Sequence, residues 1–239
     1  MAETPLPTEL IESSFISAED FNQIVDIYDQ DQIDHDTLTA IAKIFESHEV
    51  TNKFGLQLLH RHYQMPEGSI AVTSSIGDSI AVTKITPVGN IDPAAIRGQL
   101  YLLNSKGKFQ AYEYEHGKPI SFPSGFLADM ASFIQQHSLQ SKVALISDVP
   151  PPYSTYEVLI GSNATATVAG NVWKGGQDSL QTVGWKFTEH PTPDTPEAFI
   201  SIHFYWKCTT KKQRMPFNLD TQDVKAYLKK EGCIWEAMM

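Results

Sequence analysis

A chain of 239 residues with 41% apolar and 19% charged residues has material for one large domain and enough core to fold without staples. A net charge of −10 opposes nonspecific polyanion binding, and two cysteines are too few for a disulfide scaffold. No run approaches the ~18 apolar residues of a membrane span, and the acidic, proline-containing N-terminus does not read as a signal peptide, so a cytoplasmic protein is expected.

The acidity is local. Residues 1–50 hold twelve acidic side chains against the single Lys43, and the rest of the chain is close to neutral. Residues 1–14 read as a loose arm. Ser17 opens a helix with Asp20 three residues on, and Phe21, Ile24, Val25 and Tyr28 form its apolar stripe. Asp34 or Asp36 caps a second helix that buries Leu38, Ile41, Ala42 and Phe45. This acidic pair is either a solvated face or a cover for a basic groove.

From Phe54 the pattern has period two. Strands are expected at 55–64, 69–75, 78–86, 99–104 and 108–114, with turns at Pro66-Glu67-Gly68, Gly77-Asp78, Gly89-Asn90 and Ser105-Lys106-Gly107. Connections this short favour antiparallel neighbours. A helix begins near Ser124 and aligns Phe126, Leu127, Met130, Phe133 and Ile134. An apolar strand follows at Lys142–Val149, and Pro150-Pro151-Pro152 is a rigid break and a candidate subdomain boundary in a single domain of residues 1–239. Further strands are expected near 155–162, 164–170, 182–188 and 198–206, then a helix at 221–230. The fold class is α+β, a mostly antiparallel sheet with two N-terminal helices, one central helix and one C-terminal helix.

Three groups of residues carry candidate chemistry. In an extended 55–64, His60 and His62 share a face about 6.5–7 Å apart, and Arg61 points the other way. That spacing suits general acid–base work, for which imidazole is the usual choice near neutral pH, or a shared metal ion. His60-x-His62 with Glu67 five residues on also comes near the first metal motif of the cupins, although Gly55 stands one residue too close and the second motif is missing. His203 offers a third imidazole for that metal set. The second group is Tyr112-Glu113-Tyr114-Glu115, where alternation puts the tyrosines on one face and Glu113 and Glu115 on the other, paired to recognise a guanidinium or amine. In the third, Cys208 closes His203-Phe204-Tyr205-Trp206-Lys207 and reads as a buried cysteine or a nucleophile. Seven of the eighteen basic residues lie between Lys207 and Lys230, including Lys211 and Lys212, and form the candidate phosphate-contacting patch. No Gly-x-Gly-x-x-Gly, Walker loop, nucleophile elbow or His-Glu-x-x-His occurs, so no nucleotide cofactor is expected.

The run Gly55-Leu56-Gln57-Leu58-Leu59-His60-Arg61-His62, with the Tyr101–Tyr114 hairpin and the Trp206–Cys208 end, resembles a segment of small fungal proteins without familiar domains. The chain is similar in this way to the fungal arginine-containing cyclodipeptide synthases. The resemblance implies an ATP-independent, cofactor-free enzyme of secondary-metabolite biosynthesis that takes an arginyl and a second aminoacyl group from aminoacyl-tRNA and releases a small cyclic dipeptide. Within that expectation His60 or His62 serves as acid–base, Arg61, Glu113 and Glu115 bind substrate, and Lys211 and Lys212 contact tRNA phosphate. A metal-dependent enzyme using His60, His62, Glu67 and His203, and a non-catalytic β-rich binding module, are the alternatives.

Overall fold

The computed structural model describes residues 11–12, 14–123, 125–147, 155–160, 163–174, 180–187, 201–204 and 221–230. Among them the chain is α+β. Strand β1 (Ile11–Glu12) precedes helices α1 (Ala18–Asn22) and α2 (His35–Ser47). Strands β2 (Phe54–Leu58), β3 (Ser69–Ser75), β4 (Ile80–Pro87), β5 (Ile96–Leu103) and β6 (Phe109–His116) come next. Helix α3 (Phe126–Gln136) leads to β7 (Val143–Ser147), β8 (Thr155–Ile160) and β9 (Ala164–Ala169). The short strands β10 (Leu180–Thr182), β11 (Gly184–Trp185) and β12 (Ser201–Phe204) precede α4 (Thr221–Lys230). No helix among the described residues is long and apolar enough to cross a membrane.

The two N-terminal helices start where their caps dictate. The Ser17 hydroxyl accepts from the Asp20 amide at 3.0 Å and donates to the Asp20 carboxylate at 2.7 Å. Asp34 accepts from the Thr37 amide at 2.8 Å and hydroxyl at 2.7 Å, which holds its carboxyl below the usual range. The arm expected before α1 is partly ordered into the sheet, since Ile11 and Glu12 pair in parallel with Phe109 and Gln110.

All twelve described strands belong to one sheet, in the order β10-β12-β8-β9-β4-β3-β6-β5-β7-β2-β11, with β1 beside β6. Most pairs are antiparallel; β3–β6, β8–β12 and β1–β6 are parallel. Only Val183 separates β10 from β11, yet those strands stand at opposite ends of the order. Residues 180–182 pair with β12, and residues 184–185 pair with β2. The Leu58 amide donates to the Val183 carbonyl at 2.6 Å in between. The sheet therefore curls until its two ends meet on one short segment. Strands on both sides of residues 150–152 take part in it; those three residues lie outside the described ones.

The two faces of the curled sheet are filled differently. One carries the large core, where Leu56, Leu58, Val72, Tyr101, Phe109, Tyr114 and Leu145 pack against α2 and α3. Phe45 of α2 meets Phe126 of α3 edge-on at 5.1 Å. The same face continues over β4, β8 and β9 into a second cluster, closed by Val224 and Leu228 of α4. The opposite face carries a smaller cluster of Ala71, Leu100, Tyr112, Ala144 and Ile146, covered by Phe21 and Ile24 at α1 and by Leu59, Tyr63 and Met65.

A bulge in the β5–β6 pair decides which side chains reach that face. Register slips on both sides of Leu100, and Tyr112 is the residue of β6 left over between Ala111 and Glu113. Gly98 permits the close approach there, because a Cβ would lie 2.5 Å from the Tyr101 ring and 2.7 Å from the Ala111 methyl. The expectation that Tyr112 and Tyr114 share a face is thereby overturned. Tyr114 enters the large core and Tyr112 the opposite cluster. Glu113 and Glu115, opposite Ala71 and Thr73 of β3, keep a common face, and it is the face of Tyr112.

Candidate functional site

The histidine segment is positioned by the end of β2. The expected strand 55–64 stops at Leu58, because the chain then leaves the ladder and crosses the smaller face. Its new partners come from α1 and the turn beyond it. The Arg61 amide donates to the Val25 carbonyl at 3.0 Å. Asn22 holds Met65 at both backbone groups, at 2.7 and 3.0 Å. Arg61 is engaged by the turn after α1: its Nε donates to the Ile24 carbonyl at 2.7 Å and its guanidinium lies 4.0 Å from Asp26. The role of Arg61 visible here is to anchor this crossing segment.

His60 and His62 meet although no strand aligns them. Their rings are nearly perpendicular, with centroids 4.8 Å apart and the two Nε2 atoms 3.2 Å apart. Nδ1 of His60 faces the Leu58 carbonyl at 2.5 Å. A carbonyl only accepts, so Nδ1 bears the hydrogen and Nε2 presents its lone pair. Burial, and then the neighbouring His62, push the His60 imidazole down to about 4, so this ring is neutral at neutral pH.

The third member comes from β8. Tyr156, Val158 and Ile160 enter the core, so alternation turns Glu157 to the other face. Its Oε1 lies 3.3 Å from His62 Nε2, with side chains only 12% and 11% exposed. One ligand-type atom from each of His60, His62 and Glu157 lies within 4.8 Å of the others.

Glu113 adds a second carboxyl. It lies four strands from Glu157 along the sheet order, about 19 Å in a flat sheet. Yet burial, and then the charge of Glu157, push the Glu113 carboxyl up to about 8. The two carboxyls interact because the sheet is curled and this face is its concave side. Glu113 therefore keeps its proton at neutral pH. Burial also raises the Tyr63 and Tyr112 phenols well above their usual range, and the charges of Glu113 and Glu157 raise them further.

Of the remaining candidates, Glu115 and Glu67 are placed apart from this cluster. Glu115 receives Arg97, with Nη2 at 2.8 Å and Nε at 2.9 Å, so its carboxylate is already engaged. Glu67 is exposed on the turn before β3, because residues 66–68 project from the sheet, and it does not join the metal-type group. His203 lies in register beside Glu157 on the neighbouring strand. The His203 side chain, Lys211, Lys212 and Cys208 lie outside the described residues.

Glu157 and Tyr63 are absent from the sequence-derived set, and Tyr112 stands in it without a role of its own. A charge within the alternating run Tyr156–Ile160 was the available signal for Glu157, but nothing local told a concave face from a solvated one. Comparison of the chain with protein-family profiles, curated proteins and solved structures finds no match.

Proposed function

We propose that this chain is a metal-dependent enzyme whose divalent ion is held by His60, His62 and Glu157. One observation carries the reading: three ligand-type atoms converge, one on the buried His60 with its tautomer already fixed by a backbone carbonyl and two on the half-buried His62 and Glu157. An ion at about 2.0–2.1 Å from nitrogen in tetrahedral geometry puts neighbouring ligand atoms about 3.3 Å apart. The His60–His62 and His62–Glu157 separations of 3.2 and 3.3 Å match this, and the third pair, within 4.8 Å, would close to it on binding. The Leu58 carbonyl is the outer partner that orients a metal-binding imidazole. Two imidazoles and one carboxylate suit Zn²⁺ or Fe²⁺ and leave coordination positions for water or substrate. The ion would supply Lewis acidity and a water acidified toward neutral pH. The chain's part is to fix the ligands against the concave face, which also carries the Glu113 carboxyl.

The test is elemental analysis of protein purified without chelators and then reconstituted with Zn²⁺ or Fe²⁺. One ion per chain, lost in His62→Ala and in Glu157→Ala, is the expected result. Folded protein that retains no stoichiometric ion after reconstitution refutes the reading.

The tRNA-dependent cyclodipeptide synthase is a second proposal, favoured by one feature: His60 and His62 share the concave face with the buried Glu113. Expression in a bacterial host with mass spectrometry for arginine-containing cyclic dipeptides tests it. Soluble protein that yields none counts against it.

A further inference from the structure

Two phenols on the concave face have no role in holding an ion. Tyr63 is 5% exposed and Tyr112 0%, and neither hydroxyl has a hydrogen-bond partner among the described residues. Leaving a buried hydroxyl unpaired costs about 1–3 kcal/mol, so two side by side mark a place where a partner is accommodated. Both rings rest on Phe21, Tyr63 stacked at 5.9 Å and Tyr112 tilted at 6.5 Å. Tyr63 directly follows His62 in the chain, and Tyr112 lies on the face that carries Glu113 and Glu157, so both belong to the surface around the ligand set.

Resting on the metal-centre reading, we propose that Tyr63 and Tyr112 donate hydrogen bonds to the carbonyl-type oxygen of a small substrate, a carboxylate or a carboxamide, bound next to the ion. A buried phenol must donate, and an sp² oxygen has two lone pairs with which to receive two donors. Ile24 and Leu100 in the same cluster give the rest of the molecule an apolar lining, which suits a small hydrocarbon body. A phosphate dianion fits poorly, since it brings two charges into an apolar surround that already holds two carboxyl groups.

The experiment uses the full chain loaded with Co²⁺, whose visible spectrum reports changes at the ion. Acetate, acetamide and inorganic phosphate are titrated separately. Acetate or acetamide is expected to give a saturable spectral change, and which one does so distinguishes the carboxylate from the carboxamide. The Tyr63→Phe/Tyr112→Phe double variant should keep one ion per chain and bind that probe about tenfold or more weakly. Removing two unpaired hydroxyls should not impair folding, and an unshifted or raised melting temperature confirms this. Unchanged probe affinity in the double variant means that water satisfies the hydroxyls and overturns the inference. So does a full-strength ion site that neither organic probe perturbs, or one that prefers phosphate. If no ion binds at all, the metal-centre reading falls and this inference falls with it. Metal stoichiometry, measured first, separates that outcome from the others.

Discussion

The two faces of the sheet obey the same alternation and bury their side chains to a similar depth, yet they hold opposite chemistry. The convex face meets α2 and α3 through Phe45, Phe54, Phe126 and Leu127, all essentially without exposure, and among the described residues its apolar cluster includes the phenols of Tyr101 and Tyr114. The concave face interleaves an apolar cluster with His60, His62, Glu113, Glu157, Tyr63 and Tyr112. Buried polar groups weaken a fold unless each is paired, so a core needs none of them. The convex side is where stability is made. The concave side gives some of it up, and such local violations are expected at functional sites.

Substitutions should divide along the same line. Phe45→Ala opens a cavity beneath Phe126 and Phe187, and a loss of about 3–5 kcal/mol is expected in urea unfolding, with little change in the affinity of the remaining protein for metal. Glu157→Ala should do the reverse. Metal affinity falls by about 100-fold or more, beyond the loss typical of an outer partner, while the metal-free protein keeps its unfolding midpoint within about 1 kcal/mol. Equal losses of stability in the two variants, by chemical denaturation of chelated protein, would erase the distinction.

Much of the convex side was legible in the sequence because its signals are local. Asp34 caps α2, Leu38, Ile41, Ala42 and Phe45 mark one stripe, and a strand forms at 69–75. The concave side was legible only in part. His60 and His62 were found because they stand two residues apart in one segment, close enough to meet although the strand ends before them. Glu157 belongs to the site only through the curl that brings β8 round, a relation set by long-range pairing. Tyr112 joins Glu113 only through the bulge, and no period-two reading accommodates the extra residue. Glu67 has the spacing of a ligand but lies on a turn that points to solvent.

Glu113 gives the comparison a pH axis. Its carboxyl rises from 4.5 to about 8 on folding, so the native state binds a proton that the unfolded chain releases. Its contribution is fully favourable below 4.5 and is lost as pH rises toward 8. Some residual exposure of Glu113 makes the loss smaller than the full shift implies, on the order of 2 kcal/mol. Metal-free protein unfolded in urea at about pH 5 and about pH 8 should show this loss, and Glu113→Gln should flatten it. A wild-type profile indistinguishable from that of the glutamine variant would mean that Glu113 titrates as an ordinary surface acid.

The smallest effect is the most discriminating. Tyr112 has no exposed surface and an unpaired hydroxyl, and its ring is packed by Phe21. Tyr112→Phe keeps the ring and removes only the oxygen. If the residue served the core alone, losing a polar atom that pairs with nothing would leave stability unchanged or raise it by up to about 1 kcal/mol. The same change should then leave a ligand untouched. On the concave-site reading the first half holds and the second fails: stability stays level or rises, while the affinity for acetate or acetamide at the loaded centre falls. A substitution that stabilises the protein and weakens its ligand is the signature of a group kept for binding, and a melting curve beside a probe titration on one variant reads both halves.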